Sequence, residues 1–146
     1  MASVLKEVEL AVPVKDTPGA ERVVLSALLE QGVEVRALCA YNDGARTMVL
    51  LVTDDALRAK QALTKAGFEC KANPVVVVGV ENRIGAVAQL GAHLYNAGIK
   101  ILRSYASYTE GSEMVAVFKT HDDARAIEVL QASLRTAASA HTQHAA

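Results

Sequence analysis

Hydrophobic positions along the chain switch between two periods, and the switches mark the elements. Val8, Leu10, Val12 and Val14 alternate with Glu7, Glu9, Ala11 and Pro13, the pattern of a strand with one buried face. The period then lengthens: Val23, Val24, Ala27 and Leu28 fall on one helical face, with Glu21, Arg22 and Glu30 on the other. Thr17 is the predicted N-cap of that helix and Pro18 its first residue, where a missing N–H costs nothing. Gly32 stands where a left-handed C-cap belongs. Period two returns at Val33, Val35, Ala37, Cys39 and Tyr41, and Asn42-Asp43-Gly44 turns this strand into a hairpin with Thr47–Thr53. Asp54-Asp55 opens a second helix, its acids favoured by the helix dipole; Leu57 and Leu63 lie in its buried stripe, and Gly67 closes it. Phe68–Asn73 is a fourth short strand. The order βαββαβ predicts a four-stranded antiparallel sheet with both helices on one face.

The chain then says the same thing again. Val75–Val80 is a strand, and Ile84–Ala97 a helix carrying Val87, Leu90 and Leu94. Ile99–Tyr108 and Glu113–Lys119 form a hairpin around Thr109-Glu110-Gly111-Ser112. Thr120-His121-Asp122-Asp123 fits a capping pattern that opens a helix with Ile127, Leu130 and Leu134 on one face. Gly19 and Gly85, Gly32 and Gly98, and Met48 and Met114 each stand 66 residues apart. That period is too long for a solenoid unit and suits a small α/β module. Modules of this size are marginally stable alone, so the two are expected to share an interface. The copies part after Arg135, where no strand signal follows. The expectation is therefore one module over 1–73, a second over 74–136 that lacks its last strand, and a disordered tail over 137–146. The strand Val75–Val80 would then be an unpaired apolar edge, open to another chain.

Composition narrows the function. Hydrophobic residues make up 51% of the chain and the net charge is −1, so no basic surface suggests nucleic acid. The longest apolar run, Val75–Val80, is far too short to span a bilayer, and Lys6 and Glu7 interrupt any leader-like stretch. Cys39 and Cys70 read as free thiols, buried or half-buried, which places the protein in a reducing cytoplasm. The histidines, His93, His121, His141 and His144, have no metal-ligand spacing. No Gly-x-Ser-x-Gly, Walker or Gly-x-Gly-x-x-Gly sequence occurs, so neither catalysis nor a cofactor or metal is expected.

What remains is a pair of equivalent turns. At Asp16-Thr17-Pro18-Gly19 and Asn82-Arg83-Ile84-Gly85, a polar Asx side chain stands just before a helix start. First-turn amides have no intrahelical partner and attract a carboxylate, while an Asx oxygen accepts from an ammonium group. Glycine there lets a ligand approach the backbone. Together they suit a small zwitterion such as an amino acid. The alternative is that Asp16 and Asn82 are ordinary N-caps and the glycines make room for helix–sheet packing.

Asp16-Thr17-Pro18-Gly19-Ala20 with its helix and Glu30-Gln31-Gly32-Val33-Glu34-Val35 resembles the ACT domain. Glu81-Asn82-Arg83-Ile84-Gly85-Ala86-Val87 with Asn96-Ala97-Gly98-Ile99-Lys100-Ile101 resembles a second, and the likeness covers about Glu7 to Leu134. The resemblance implies two ferredoxin-like α+β modules, side by side in an antiparallel sheet with helices on one face. It also implies a role in regulating amino-acid metabolism. In such domains an amino acid sits between the turn of one module and the second strand of another. The implied ligand-binding residues are Asp16, Thr17, Gly19, Ala20, Asn82, Arg83, Gly85 and Ala86 on the turns. On the facing strands they are Leu38 and Cys39, with Ala37 and Ala40 beside them, and Arg103, Ser104 and Tyr105, with Ala106 beside them. Asn82 matches the Asn that holds the effector in serine-sensing members, and Asp16 takes its place in the first module. Val14 and Val80 stand where those members carry a histidine, and Ile84 where proline is usual. The expected partner is a small molecule, with a homodimer or a partner enzyme to receive the signal. The rival expectation is a ligand-free interaction module.

Overall fold

The computed structural model describes residues 2–144. In chain order the elements are β1 (Ser3–Lys15), α1 (Ala20–Glu30), β2 (Val35–Asn42), β3 (Arg46–Thr53), α2 (Ala56–Lys65), β4 (Lys71–Glu81), α3 (Ala86–Asn96), β5 (Ile101–Tyr108), β6 (Glu113–Thr120) and α4 (Asp123–His144). The six strands follow the hydrogen-bonded order β2-β3-β1-β4-β6-β5. This is the expected α+β architecture of two ferredoxin-like, ACT-type modules. The division of the chain is nested rather than serial. An inner unit spans Glu7–Pro74, and an outer unit combines the residues up to Lys6 with those from Val75 on. The boundaries thus fall inside β1 and inside β4.

In the inner unit β3 is central, antiparallel to β1 from Glu9↔Val52 to Lys15↔Arg46 and to β2 from Val35↔Thr53 to Asn42↔Thr47. One sheet face carries α1 and α2 over a core of Leu10, Val12, Val24, Leu28, Leu51 and Leu63. The hairpin turn forms as its residue types require. Asn42 Oδ1 accepts the Gly44 amide at 2.7 Å, and Asp43 Oδ1 accepts the amides of Ala45 and Arg46 at 3.0 and 2.9 Å. The backbone bond from Arg46, then that from Ala45, holds the Asp43 carboxyl below its usual range. Gly44 supplies the positive φ, 93°.

One expectation fails here. Glu9, placed on the solvent side by alternation, has no exposed surface, whereas Val8 is 39% exposed. Ala11, Ala37, Leu50 and Val52 on that same face are also buried. When both faces of a sheet are covered, the polar–apolar alternation no longer reports which side is inside. Near that end Arg36 Nη1 donates to both Glu7 carboxylate oxygens, at 2.9 and 2.8 Å.

The outer unit corrects a second expectation. β4 and β5 flank β6, antiparallel, with α3 and α4 packed over Val76, Val78, Leu90, Leu94, Phe118 and Leu130. No strand follows α4 among the described residues, as anticipated. Yet Val75–Val80 is not an open edge, because Ser3–Lys6 of β1 occupies the fourth-strand position beside β4. Val4 is 5% exposed within the core, and Gln131 Nε2 donates to its carbonyl at 3.3 Å. Ser3 lies so close to β4 that a Cβ on Gly79 would meet its Oγ at 2.9 Å. Val75 through Val78 are each at most 2% exposed, which explains their unbroken apolar run. The anticipated tail is also different: α4 continues through residue 144 rather than fraying from 137, and 145–146 lie outside the described residues.

The starts of α2 and α4 use the same cap with one difference. Asp55 and Asp122 accept the amides of Arg58 and Arg125 at 3.0 and 3.1 Å. The residue before each ties the start to the second strand: Asp54 Oδ1 accepts the Glu34 amide at 2.9 Å, and His121 Nδ1 accepts that of Lys100 at 3.0 Å. His121 is thus a backbone acceptor. One residue earlier the units diverge. Thr120 Oγ1 donates to Asp123 Oδ1 at 2.7 Å, and Lys119 Nζ reaches Asp123 Oδ2 at 2.7 Å. Burial raises the Asp123 carboxyl, but the Lys119 and Thr120 bonds outweigh it and hold it below its usual value. In the inner unit Ala56 stands in place of Asp123, and the buried Thr53 hydroxyl has no hydrogen-bond partner among the described residues. The two threonines should therefore respond oppositely in urea unfolding. Thr120→Val should cost about 1–3 kcal/mol, and Thr53→Val should be neutral or stabilising. Equal losses at both would contradict this account.

Candidate functional site

The two turns are built on glycine, not on the residues the sequence nominates. α1 begins at Ala20 behind Gly19 (φ 81°), and α3 at Ala86 behind Gly85 (φ 82°), with no side-chain cap at either start. Thr17 and Pro18 therefore do not open the first helix as expected; they form the turn before it, where the Ala20 amide donates to the Thr17 carbonyl at 3.2 Å. The outer turn repeats this, with Ala86 N donating to the Arg83 carbonyl at 3.1 Å. A left-handed φ costs a residue with Cβ about 1–2 kcal/mol, which is why glycine sits here. Crowding is not the reason: a Cβ at Gly19 or Gly85 would meet nothing within 4 Å. Space above both helix starts is open, and Asp16 and Asn82 are exposed rather than engaged as caps.

Around the inner turn there are two depressions. One, of about 590 Å³, is lined by Thr17, Gly19 and Ala20 together with Arg22, Ser26 and Thr47. The other, of about 660 Å³, shares Thr17 and Ala20 but extends over Lys15, Arg46, Phe68 and Glu69. Amides in the first turn of α1, at Glu21 and Arg22, lie beyond the reach of any intrahelical acceptor. Asp16 lines neither depression, and neither do the half-buried Leu38 and Cys39 of β2. At the outer turn the Asn82 amide donates to the Ser112 carbonyl at 2.6 Å, joining turn to hairpin. Arg83 Nη2 donates to Gln89 Oε1 at 2.9 Å. Asn82, Arg83 and Gly85 are exposed and Ala86 is buried; on β5, Arg103 and Tyr105 are half-buried and Ser104 is exposed. β2 and β5 are each the terminal strand of their own unit. Sequence reasoning missed Lys15, Arg46, Phe68 and Glu69. Only the β1–β3 register sets Lys15 opposite Arg46.

No family model matches the sequence, and no curated protein matches it. The fold is similar to several solved structures. A protein from Bacteroides thetaiotaomicron matches with a TM-score of 0.78 at 21% identity, over 89% of this chain and 90% of that one. The regulatory subunit of aspartate kinase from Thermus thermophilus, in a ligand-free form, matches with a TM-score of 0.64 at 17% identity, over 89% and 94%. The corresponding subunit from Thermus flavus matches at 0.59 and 18%, over 91% and 96%. At these identities the likeness establishes a shared ACT-like fold. No described helix is long and apolar enough to cross a membrane.

Alanine substitution tests the role of the glycines. Gly19→Ala and Gly85→Ala should each lower stability by about 1–2 kcal/mol. Gly91→Ala, within α3 and with nothing near its Cβ, should gain up to about 1 kcal/mol. Chemical denaturation of the three variants decides it, and an undisturbed Gly19→Ala would refute the left-handed requirement.

Proposed function

We propose that this chain is a small-molecule sensor or regulatory subunit that binds an amino-acid-type metabolite beside its strand-to-helix turns. The observation that carries the proposal is the matched pair of helix starts, with Gly19 at φ 81° and Gly85 at φ 82° under open space. The inner one is flanked by a concavity of about 590 Å³, a size suited to small ligands. The ligand carboxylate would meet the first-turn amides of α1 or α3, and its ammonium the carboxylate of Asp16 or the amide oxygen of Asn82. As the ACT resemblance implies, second-strand residues of a neighbouring module would supply the opposite wall. These are Leu38 and Cys39 on β2, and Arg103, Ser104 and Tyr105 on β5. Support also comes from the shared fold with two proteins described as regulatory subunits of aspartate kinase. A signal would pass to a partner enzyme only if the ligand favours one arrangement of the protein over another.

The rival, a ligand-free interaction module, loses its original basis because Val75–Val80 is no edge. It rests instead on exposed apolar side chains of the outer unit: Ile84 at 102%, Tyr95 at 82%, Tyr108 at 74% and Leu102 at 53%. Isothermal titration against the common amino acids at millimolar concentration separates the two. We expect saturable heat with at least one amino acid. Asp16→Ala or Asn82→Ala should weaken it tenfold or more without lowering thermal stability. No heat with any amino acid, with light scattering reporting an obligate oligomer, would favour the interaction module.

A further inference from the structure

The inner unit's larger depression contains an electrostatic arrangement that the fold does not need. Lys15 and Arg46 are direct cross-strand partners, the last in the β1–β3 register, and both line the depression. Two like charges set opposite one another on adjacent strands destabilise the sheet. Lys15 makes no ion pair among the described residues, and Arg46 has only Asp43 Oδ2, at 3.4 Å. That compensation is thin, because Asp43 points its other oxygen at two backbone amides of the turn. Glu69 is the acid that lines the depression, contributed by the loop after α2. That loop is set by Gly67 (φ 89°) and by the Phe68 amide, which donates to the Leu63 carbonyl at 2.9 Å.

The second copy of the repeat supplies a contrast within the same chain. The partners that close the corresponding register in the outer unit are Glu81 and Glu113. The fold thus tolerates either sign there and requires neither. Nor does the outer unit have a loop matching Gly67–Glu69, since α4 runs on through residue 144. The cationic depression is a property of the inner unit's side chains, not of the shared architecture.

Two cations and one carboxylate around one concavity call for a ligand with two anionic groups and one cationic group. We propose that the depression formed by Lys15, Arg46, Glu69, Thr17 and Phe68 binds an acidic α-amino acid. Its two carboxylates would face Lys15 and Arg46, its ammonium Glu69, and its methylene chain the half-buried Phe68 ring. The excess of positive charge at this concavity also draws such an anion in from solution. For the ammonium contact the inference rests on the reading of this chain as an amino-acid binder; the anion contact stands on the cation pair alone.

The test is calorimetric titration and thermal shift of the full chain with L-glutamate and L-aspartate, against L-glutamine, L-asparagine and glutarate. Saturable binding of one acidic amino acid is expected, at least tenfold tighter than its amide. Lys15→Glu should abolish that binding and also raise the melting temperature of the unliganded protein, because a like-charge pair becomes a complementary one. A merely structural lysine would not couple those two effects. Arg46→Gln, which reverses no charge, should weaken binding at least tenfold, with circular dichroism showing it folded. Glu69→Gln should weaken the amino acid but not glutarate. Equal binding of acid and amide, or undiminished binding by folded Lys15→Glu and Arg46→Gln variants, overturns the inference. If a neutral amino acid binds in an Asp16-dependent way and the acidic ones do not, this inference falls and the turn-site reading stands. If no amino acid binds, both fall.

Discussion

Val4 is the residue on which the outer unit depends. It precedes the inner unit in sequence, yet it is buried among Val76, Val78, Leu94 and Phe118, residues that arrive only after the whole inner unit has been spelled out. Without the Ser3–Lys6 segment, β4 would lose its partner on that edge and the core would lose Val4, a side chain whose burial is worth about 1.5–3 kcal/mol. The outer unit therefore cannot be assembled from contiguous sequence. Its closing contact spans the length of an entire module, and that loop-closure cost must be met before the strand contributes anything. The inner unit, contiguous from Glu7 to Pro74, carries no such burden.

The repeat supplies backbone devices in duplicate and chemistry only once. Gly19 and Gly85 hold the same left-handed conformation, as do Gly32 and Gly98, and the Asp55 and Asp122 caps are made alike. Side chains around those devices differ. Thr120 has its Asp123, while Thr53 has Ala56 at the corresponding position; Lys15 and Arg46 are cations where Glu81 and Glu113 are acids. Two copies of one fold with opposite charge at the corresponding register end are suited to different partners.

Much of this was legible in the sequence. The order of elements, the Asn42-Asp43-Gly44 turn and the acidic start of α2 follow from local chemistry, where a few neighbouring residues decide the outcome. At the turns Asp16–Gly19 and Asn82–Gly85 the sequence marks the glycines as room for a ligand or for packing, whereas the structure shows a backbone requirement. The glycines serve a φ near +80°, so each helix starts later than Thr17 and Pro18 suggest. What escaped was non-local. The burial of Glu9 depends on what covers the second face of the sheet, and the place of Ser3–Lys6 depends on a strand more than a module away. Lys15 and Arg46 look like solvated charges until the register sets them side by side.

The account rests most directly on the N-terminal segment completing the outer unit. Amide hydrogen exchange on the full chain and on one lacking residues 2–6 measures this residue by residue. The account predicts that the shortened chain loses protection across Val76–Val80 and the helices packed on them, while Val49–Val52 of the inner unit stay protected. Unchanged protection at Val76–Val80 in the shortened chain would contradict it.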